Sequence, residues 1–394
     1  MDTGYQKLNA SSLRVITKAL EANPAGDLEE VLKQVYTSYQ RQRPQVDERR
    51  ERRRRNAGQK PSSKRHHQPE DNHKPTFVES GTLSVSMHRA TIPQPLLSSL
   101  SSGIPTNSHI ISPLSLQLLS SLAIGPHEVT APAVAGVLLR ILSAREPLAI
   151  NGRRVIVALA DNMVVKLGPN LGLEEHNLLQ FLHDHVPTVI APRALGFMKI
   201  GSVSCMFMTR LPGETLKHRW PTMPIQDKQA VQAALDNFFI DLRRVQLPFG
   251  SPMGSLSKEH RCKDCRREVR TSANLIYTEA QFNDFITSSK ISNASPGYRK
   301  WVLSMMRLDH RILLTHGDLH PENIILDTDD RGLVKVGIID WEMGGFYPEY
   351  WEMLKALNMR GVNDTNDWWD FLPQSILGYN HDVAVDRLIE STLL

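Results

Sequence analysis

Apolar positions repeat at helical spacing early in this chain, at strand spacing in its middle, and at helical spacing again towards its end. Leu13, Ile16 and Leu20, then Leu28, Val31, Leu32 and Val35, mark two short helical stripes separated by Asn23-Pro24. Helices this short are marginal alone, so each stripe needs a partner to bury it. Residues 41–75 carry almost no apolar side chains and predict a disordered linker. Residues 76–146 are rich in Ser, Leu and Pro, with helical periodicity over 131–143, and predict a helical extension packed against the region C-terminal to it.

The texture changes near Pro147. Residues 153–159 and 163–167 are β-branched runs on either side of Ala160-Asp161-Asn162. Asp-Asn at a two-residue connection tolerates the positive φ that a tight hairpin uses, so this segment predicts two paired strands. An amphipathic helix comes next, with Leu171, Leu173, Leu178, Leu179, Phe181 and Leu182 apolar, and a second strand pair is expected over 194–200 and 203–209. After Pro212-Gly213 the pattern turns helical. Residues 229–245 place Val231, Ala234, Leu235, Phe238, Phe239 and Leu242 on one face, and residues 298–314 repeat the pattern with Trp301, Val302, Met305 and Leu308. Two apolar runs between Asn323 and Asp340, flanking Asp329-Asp-Arg-Gly332, predict a β-hairpin inside this helical region. The expected fold is therefore α+β and two-lobed, with a small β-rich N-lobe over 147–211, a helical C-lobe over 212–394 and a cleft between them.

Composition narrows this picture. At 394 residues, 41% hydrophobic and 22% charged, the chain suits an ordinary globular protein of two or three compact units. No apolar run is long enough for a membrane span, and the N-terminus lacks the apolar core of a secretory signal. The net charge of +4 hides an asymmetry: residues 41–65 hold 11 Lys or Arg against 3 Asp or Glu, leaving 35 basic and 39 acidic residues elsewhere. The folded part is mildly acidic, which argues against a nucleic-acid-binding surface on it. The Arg49–Arg55 cluster reads first as a solvated linker, with a nuclear-import or anionic-surface tag as the alternative. Three cysteines (Cys205, Cys262 and Cys265) make no disulfide framework and suit a reducing compartment. The expected location is intracellular, chiefly cytoplasmic, with the nucleus as the alternative.

Candidate chemistry concentrates in two acidic motifs, His316-Gly-Asp-Leu-His-Pro-Glu-Asn323 and Ile338-Ile-Asp-Trp-Glu342. Phosphoryl transfer to a hydroxyl requires something to neutralise the nucleotide phosphates, a metal anchor, and a carboxylate that orients the attacking hydroxyl. Asp318 comes after an apolar run, and Asn323 lies five residues further on, the spacing of a kinase catalytic loop. Asp340 ends the second strand of the expected hairpin, which would carry its carboxylate next to Asn323 and suit Mg²⁺ through oxygen ligands. Any one of these residues alone reads as a turn or helix cap. Loop, Asn, strand, turn, strand and Asp together form a constellation that caps do not require.

These motifs resemble the pair found in the aminoglycoside phosphotransferase and choline kinase group, small-molecule kinases of protein-kinase-like fold. Gly344-Gly-Phe-Tyr-Pro-Glu-Tyr-Trp-Glu352 is similar to the fungal proteins carrying that domain. The resemblance spans roughly residues 147–385. It implies an ATP-dependent (or GTP-dependent), Mg²⁺-requiring phosphotransferase acting on a hydroxyl of a small molecule, with Asp318 as the catalytic carboxylate and Asn323 and Asp340 at the metal. It further implies that Lys166 contacts phosphates and that Glu175 holds it, although Glu174 fits the spacing equally. Backbone groups from Thr209 to Leu211, in a hinge after Met208, would face the nucleotide base.

Two departures stand beside the resemblance. No Gly-x-Gly-x-x-Gly precedes the Lys166 strand, and Asp340 is followed by Trp-Glu with no Ala-Pro-Glu segment in view. Both weaken a protein-kinase reading more than a small-molecule one. His260-Arg-Cys-Lys-Asp-Cys265 offers one Cys-x-x-Cys, short of the four ligands of a structural zinc site, and reads as a structural loop. Asn363-Asp-Thr-Asn-Asp-Trp-Trp-Asp370 reads first as core tryptophans with solvated acids, and second as a wall for a cationic substrate. The rival to an enzyme is a kinase-shaped binding protein. The expected organisation is a basic region over 1–75, a helical extension over 76–146, and the two lobes.

Overall fold

The computed structural model describes residues 91–394 except 105, 106, 170, 267–269, 290, 291, 329–333, 362 and 394, together with scattered residues between 12 and 38. The chain divides into two units, Met1–Val85 and Ser86–Leu394. In the first, the described residues, Ile16 and 34–38 among them, are helical and Val35 is buried. The linker expected over 41–75 and the arginine cluster lie outside the described residues.

The second unit opens with helix α1 (Gln94–Gly103), strand β1 (Ser108–Ser112), α2 (Leu116–Ser121) and α3 (Ala131–Ala144). Thr130 caps α3 by accepting from the N–H of Ala133, as expected where an apolar stripe begins with Thr-Ala-Pro. The chain continues through β2 (Pro147–Asn151), β3 (Arg154–Ala160), β4 (Met163–Pro169), α4 (Glu174–His185), β5 (Ala194–Ile200) and β6 (Val203–Thr209). Six strands form one antiparallel sheet in the order β1-β5-β6-β4-β3-β2. Val134, Leu138 and Leu142 of α3 cover one face over Val155, Val165 and Phe207. Leu178, Leu179 and Leu182 of α4 cover the other over Val164, Phe197 and Met206. Burial on both faces explains why β4 and β6 read as continuous apolar runs instead of alternating ones.

The larger lobe holds β7 (Glu214–Thr215), α5 (Leu216–Arg219), α6 (Ile225–Leu242), β8 (Lys263–Asp264), β9 (Arg270–Thr271), α7 (Glu279–Thr287) and α8 (Pro296–Met305). Its remaining elements are β10 (Ile312–Thr315), β11 (Ile324–Thr328), β12 (Val334–Ile338), β13 (Gly345–Pro348), α9 (Trp351–Asn358) and α10 (Asn380–Thr392). The β11–β12 hairpin pairs Ile324 with Ile338 and Thr328 with Val334, and β7 adds a third strand against β11. The connection at 329–333 lies outside the described residues. The small sheet-rich lobe and the larger helical lobe make the two-lobed α+β fold expected from the sequence. Among the described residues no helix is long and apolar enough to cross a membrane.

Three local expectations change. The region before residue 147 is not purely helical: β1 joins the sheet beside β5. The helix expected over 298–314 ends at Met305, and Ile312–Thr315 pairs with Gly345–Pro348. Trp301 is 47% and Leu308 65% exposed, so of the expected stripe Val302 is buried and Met305 packs beside it, while Trp301 and Leu308 face outward. The Asp161-Asn162 hairpin forms, but neither residue has positive φ; a bulge between Ala158 and Ala160 adjusts the strands instead.

Candidate active site

Lys166 sits mid-strand in β4 and is the one charged side chain there, buried to 3% exposure. A buried ammonium requires carboxylate partners, and it has them. Its Nζ lies 2.8 Å from Glu175 in α4 and 2.7 Å from Asp340 after β12. Burial works against this charge, but Glu175, Asp340 and Glu342 outweigh it and hold the ammonium above its usual range. Of the two glutamates that open α4, Glu175 is the partner; Glu174 lies 3.6 Å from Lys263 instead. The second carboxylate oxygen of Glu175 accepts from the N–H of Trp341 at 3.2 Å. One glutamate therefore fixes both the lysine and the backbone beside Asp340.

Asp340 adopts φ 62°, ψ 64°, left-handed backbone that an Asp tolerates better than most side chains. The hairpin leads into it: the N–H of Ile338 bonds the carbonyl of Ile190, and that of Ile339 bonds the carbonyl of Asn323 at 2.9 Å. Asn323 is buried, and its side-chain NH₂ donates to the carbonyl (2.9 Å) and to a carboxylate oxygen (3.1 Å) of Asp318. Hence Asp318 and Asn323 are locked together, with the amide oxygen of Asn323 as its remaining acceptor.

Three further residues shape this loop. Gly317 takes φ +76°, and a Cβ there would lie 2.8 Å from the carbonyl oxygen of Met343, so only glycine fits. His316 is fully buried, which pushes its imidazole below its usual range and keeps it neutral. Its Nε2 donates to the carbonyl of Ile339 at 3.0 Å, and Nδ1 accepts from the N–H of Asp318 at 3.2 Å. Glu352 in α9 accepts from the N–H of His316 at 2.6 Å and of Gly317 at 3.3 Å; burial pushes its carboxyl up to about 7. Burial would raise the Asp318 carboxyl too, but His320, with Nε2 at 3.5 Å, and nearby Lys355 hold it below its usual range. Asp318 is thus a carboxylate at neutral pH.

Lys166, Asp318, Asn323, Asp340 and Glu342 line one cleft of about 480 Å³ whose walls come from both lobes. Among the described residues, Glu175, Asp340 and Glu342 form the one group of His, Cys, Asp or Glu side chains that brings three ligand atoms within 4.8 Å of each other. With Glu175 committed to Lys166 and Trp341, Asp340, Glu342 and the Asn323 amide are among the side chains that offer oxygen to the cleft, beside Asp318. An all-oxygen set without Cys or His fits a hard cation such as Mg²⁺.

Thr209 ends β6, where its N–H donates to the carbonyl of Arg193 and its hydroxyl accepts from the N–H of Arg193. The N–H of Arg210 donates to the carbonyl of Asn162. Both donors are spent within the protein, and the Leu211 side chain closes against Gly337. The tryptophans of the 363–370 stretch are buried, and Asp367 bonds Trp220 and Lys228. Asn366 and Trp369 nevertheless reach the cleft. In the Cys-x-x-Cys loop, Cys262 is buried and Cys265 Sγ lies 2.7 Å from the Lys355 ammonium. Glu342, Glu352 and Arg154 join the site without a local sequence signal beyond an acid two residues after Asp340.

No curated protein sequence matches the chain. Similar solved structures include the aminoglycoside phosphotransferase APH(4)-Ia (14% identity over 66% of this chain and 92% of that one, TM-score 0.41) and its thermostable mutant with ADP and hygromycin B (13%, 63% and 86%, TM-score 0.42). The gentamicin–APH(2")-IIa complex is similar at 12% identity over 66% of this chain and 86% of that one, with TM-score 0.44. The sequence pattern of the phosphotransferase enzyme family matches residues 151–370, a span that begins at the β2–β3 turn and contains every residue of the cleft's ion-pair and Asp-Asn clusters. The chain belongs to that phosphotransferase enzyme family.

Proposed function

We propose that the protein transfers the γ-phosphate of ATP, with GTP as the alternative donor, to a hydroxyl group of a small molecule. The observation that carries this reading is the convergence, in one cleft, of the Asp318–Asn323 pair with the Asp340–Lys166–Glu175 chain. The volume is that of a small-molecule site.

In this reading the Asp318 carboxylate accepts the hydrogen bond of the incoming hydroxyl and orients its oxygen for attack on phosphorus. Its low proton affinity suits orientation and late proton acceptance. The Lys166 ammonium, braced by Glu175, neutralises phosphate oxygens. Asp340 and Asn323 would hold Mg²⁺, which supplies charge neutralisation on the phosphates when bound.

The test is a phosphorylation screen of a metabolite pool with ATP and Mg²⁺, comparing the wild type with Asp318→Asn. The expected result is a product lost in the variant by about 10²–10⁴-fold in rate, with Mg-nucleotide affinity retained. A product formed equally by both would overturn the role of Asp318. Failure of the wild type to bind any nucleotide would leave a kinase-shaped binding protein as the better reading.

A further inference from the structure

Arg154 and Glu342 form a second ion pair across the cleft, and Arg154 has no part in the phosphoryl-transfer chemistry assigned to Asp318, Lys166 and Asp340. Both carboxylate oxygens of Glu342 engage Nη1 of Arg154. Arg154 starts β3, where the ladder sets Ile156 opposite Lys166 and Val155 opposite Leu167. Side chains two apart on a strand share a face, so Arg154, Ile156 and Lys166 lie on the same side of the sheet, and all three line the cleft. Space for the arginine stem is made by Gly168 in β4: a Cβ there would lie 3.2 Å from Cγ of Arg154.

The local charges are arranged for exchange. Glu342 also lies 3.6 Å from Lys166, so two cations share three carboxylates. Lys166 and Glu175 are buried and held, whereas the Arg154 and Glu342 side chains keep 40% and 28% exposure. A part-buried pair that water still reaches separates more readily than the buried Lys166–Glu175 pair. A carboxylate seated on a guanidinium presents oxygens as a phosphate does, so either ligand suits the same cation. The β2–β3 connection lacks the Gly-x-Gly-x-x-Gly whose backbone N–H groups would otherwise cover phosphates.

We propose that Arg154 is a second phosphate-binding cation of the nucleotide site, and that Glu342 occupies it until a nucleotide phosphate takes its place. This rests on the reading of the cleft as a nucleotide site. Lys166 then serves the phosphates from mid-strand and Arg154 from the strand's entrance, on one face of one sheet.

The experiment titrates the full chain with ADP and with adenosine in EDTA, or with GDP and guanosine if the wild type prefers guanine. Arg154→Ala is expected to weaken diphosphate binding about ten- to a hundredfold and to leave nucleoside binding unchanged. Arg154→Lys should recover part of the loss, because it keeps the charge without the fork. Glu342→Gln should tighten the diphosphate severalfold, because the competing carboxylate is gone. Diphosphate binding unchanged in Arg154→Ala would reduce the pair to a tie between lobes and overturn the assignment. So would an equal loss of diphosphate and nucleoside in both arginine variants. Weaker diphosphate binding by Glu342→Gln would overturn the exchange. A wild type that binds neither ligand would sink the nucleotide site itself, an outcome distinct from a binding wild type with an indifferent Arg154 variant.

Discussion

Nε2 of His316 donates a hydrogen bond to the carbonyl oxygen of Ile339 at 3.0 Å, joining the residue two before Asp318 to the residue just before Asp340. The other ring nitrogen accepts from Asp318 itself, so one neutral imidazole sets the relative position of both acidic motifs. His316→Ala removes both bonds and leaves buried backbone groups unpaired. We expect a stability loss of about 1–3 kcal/mol in urea denaturation, and a phosphotransfer rate reduced beyond what that loss explains. A variant with wild-type turnover would show that the loops hold their positions without this bridge.

Asp340 combines a carboxylate with left-handed backbone, and two substitutions separate these contributions. Asp340→Gly and Asp340→Ala both remove the contact to Lys166 and should abolish metal-dependent nucleotide binding. Gly accepts φ 62° freely and Ala does not. Asp340→Gly should therefore be more stable than Asp340→Ala by about 1 kcal/mol, measured as the difference in denaturation midpoints. Equal stabilities would mean that the backbone relaxes once the side chain is lost.

Gly213 joins the lobes at φ +106°, and an added Cβ would sit 2.0 Å from the carbonyl oxygen of Leu326 in β11. Backbone lies on both sides of this contact, so no rotamer relieves it. Gly213→Ala should cost more than about 2 kcal/mol and loosen the β7–β11 pairing. Thermal denaturation checks the first expectation, and amide exchange at Leu326 checks the second.

His310 supplies the pH dependence. Burial works against its charge, but Asp382 and Glu279 prevail and raise it to about 9. Glu279 lies 2.6 Å from Nδ1 and Asp382 3.6 Å from Nε2. A histidine whose folded value exceeds its unfolded one contributes stability that is complete below about pH 6.5 and lost as pH rises through about 9. The melting temperature should fall from pH 7 to pH 9.5, and Glu279→Gln should flatten that fall. A parallel fall in the variant would assign the pH dependence elsewhere.

Much of the fold could be read from the sequence where the signal is local. The strands at 194–200 and 203–209 appear with their expected bounds, because continuous apolar runs between turns have few other outcomes. Strand β1 escaped notice because its Ser-His-Ile-Ile-Ser segment becomes a strand only by pairing with β5. Residues 312–314 looked helical for the converse reason: their partner, Gly345–Pro348, lies far along the chain.

The candidate site divides along the same line. Residue types and spacing, which the chain carries wherever it goes, set out Asp318 with Asn323 five residues on, a strand before Asp340, and two glutamates at the start of a helix. Helical spacing left Glu174 and Glu175 equivalent; packing of α4 turned Glu175 to Lys166 and Glu174 to Lys263. Tertiary structure alone seated Glu342 on Arg154, placed Glu352 beneath the N–H groups of His316 and Gly317, and gave Asp340 its left-handed backbone. Those relationships join residues as much as 188 positions apart. Periodicity and propensity act over a turn or a strand, whereas a buried charge or N–H finds its partner only among groups that folding brings within hydrogen-bond reach.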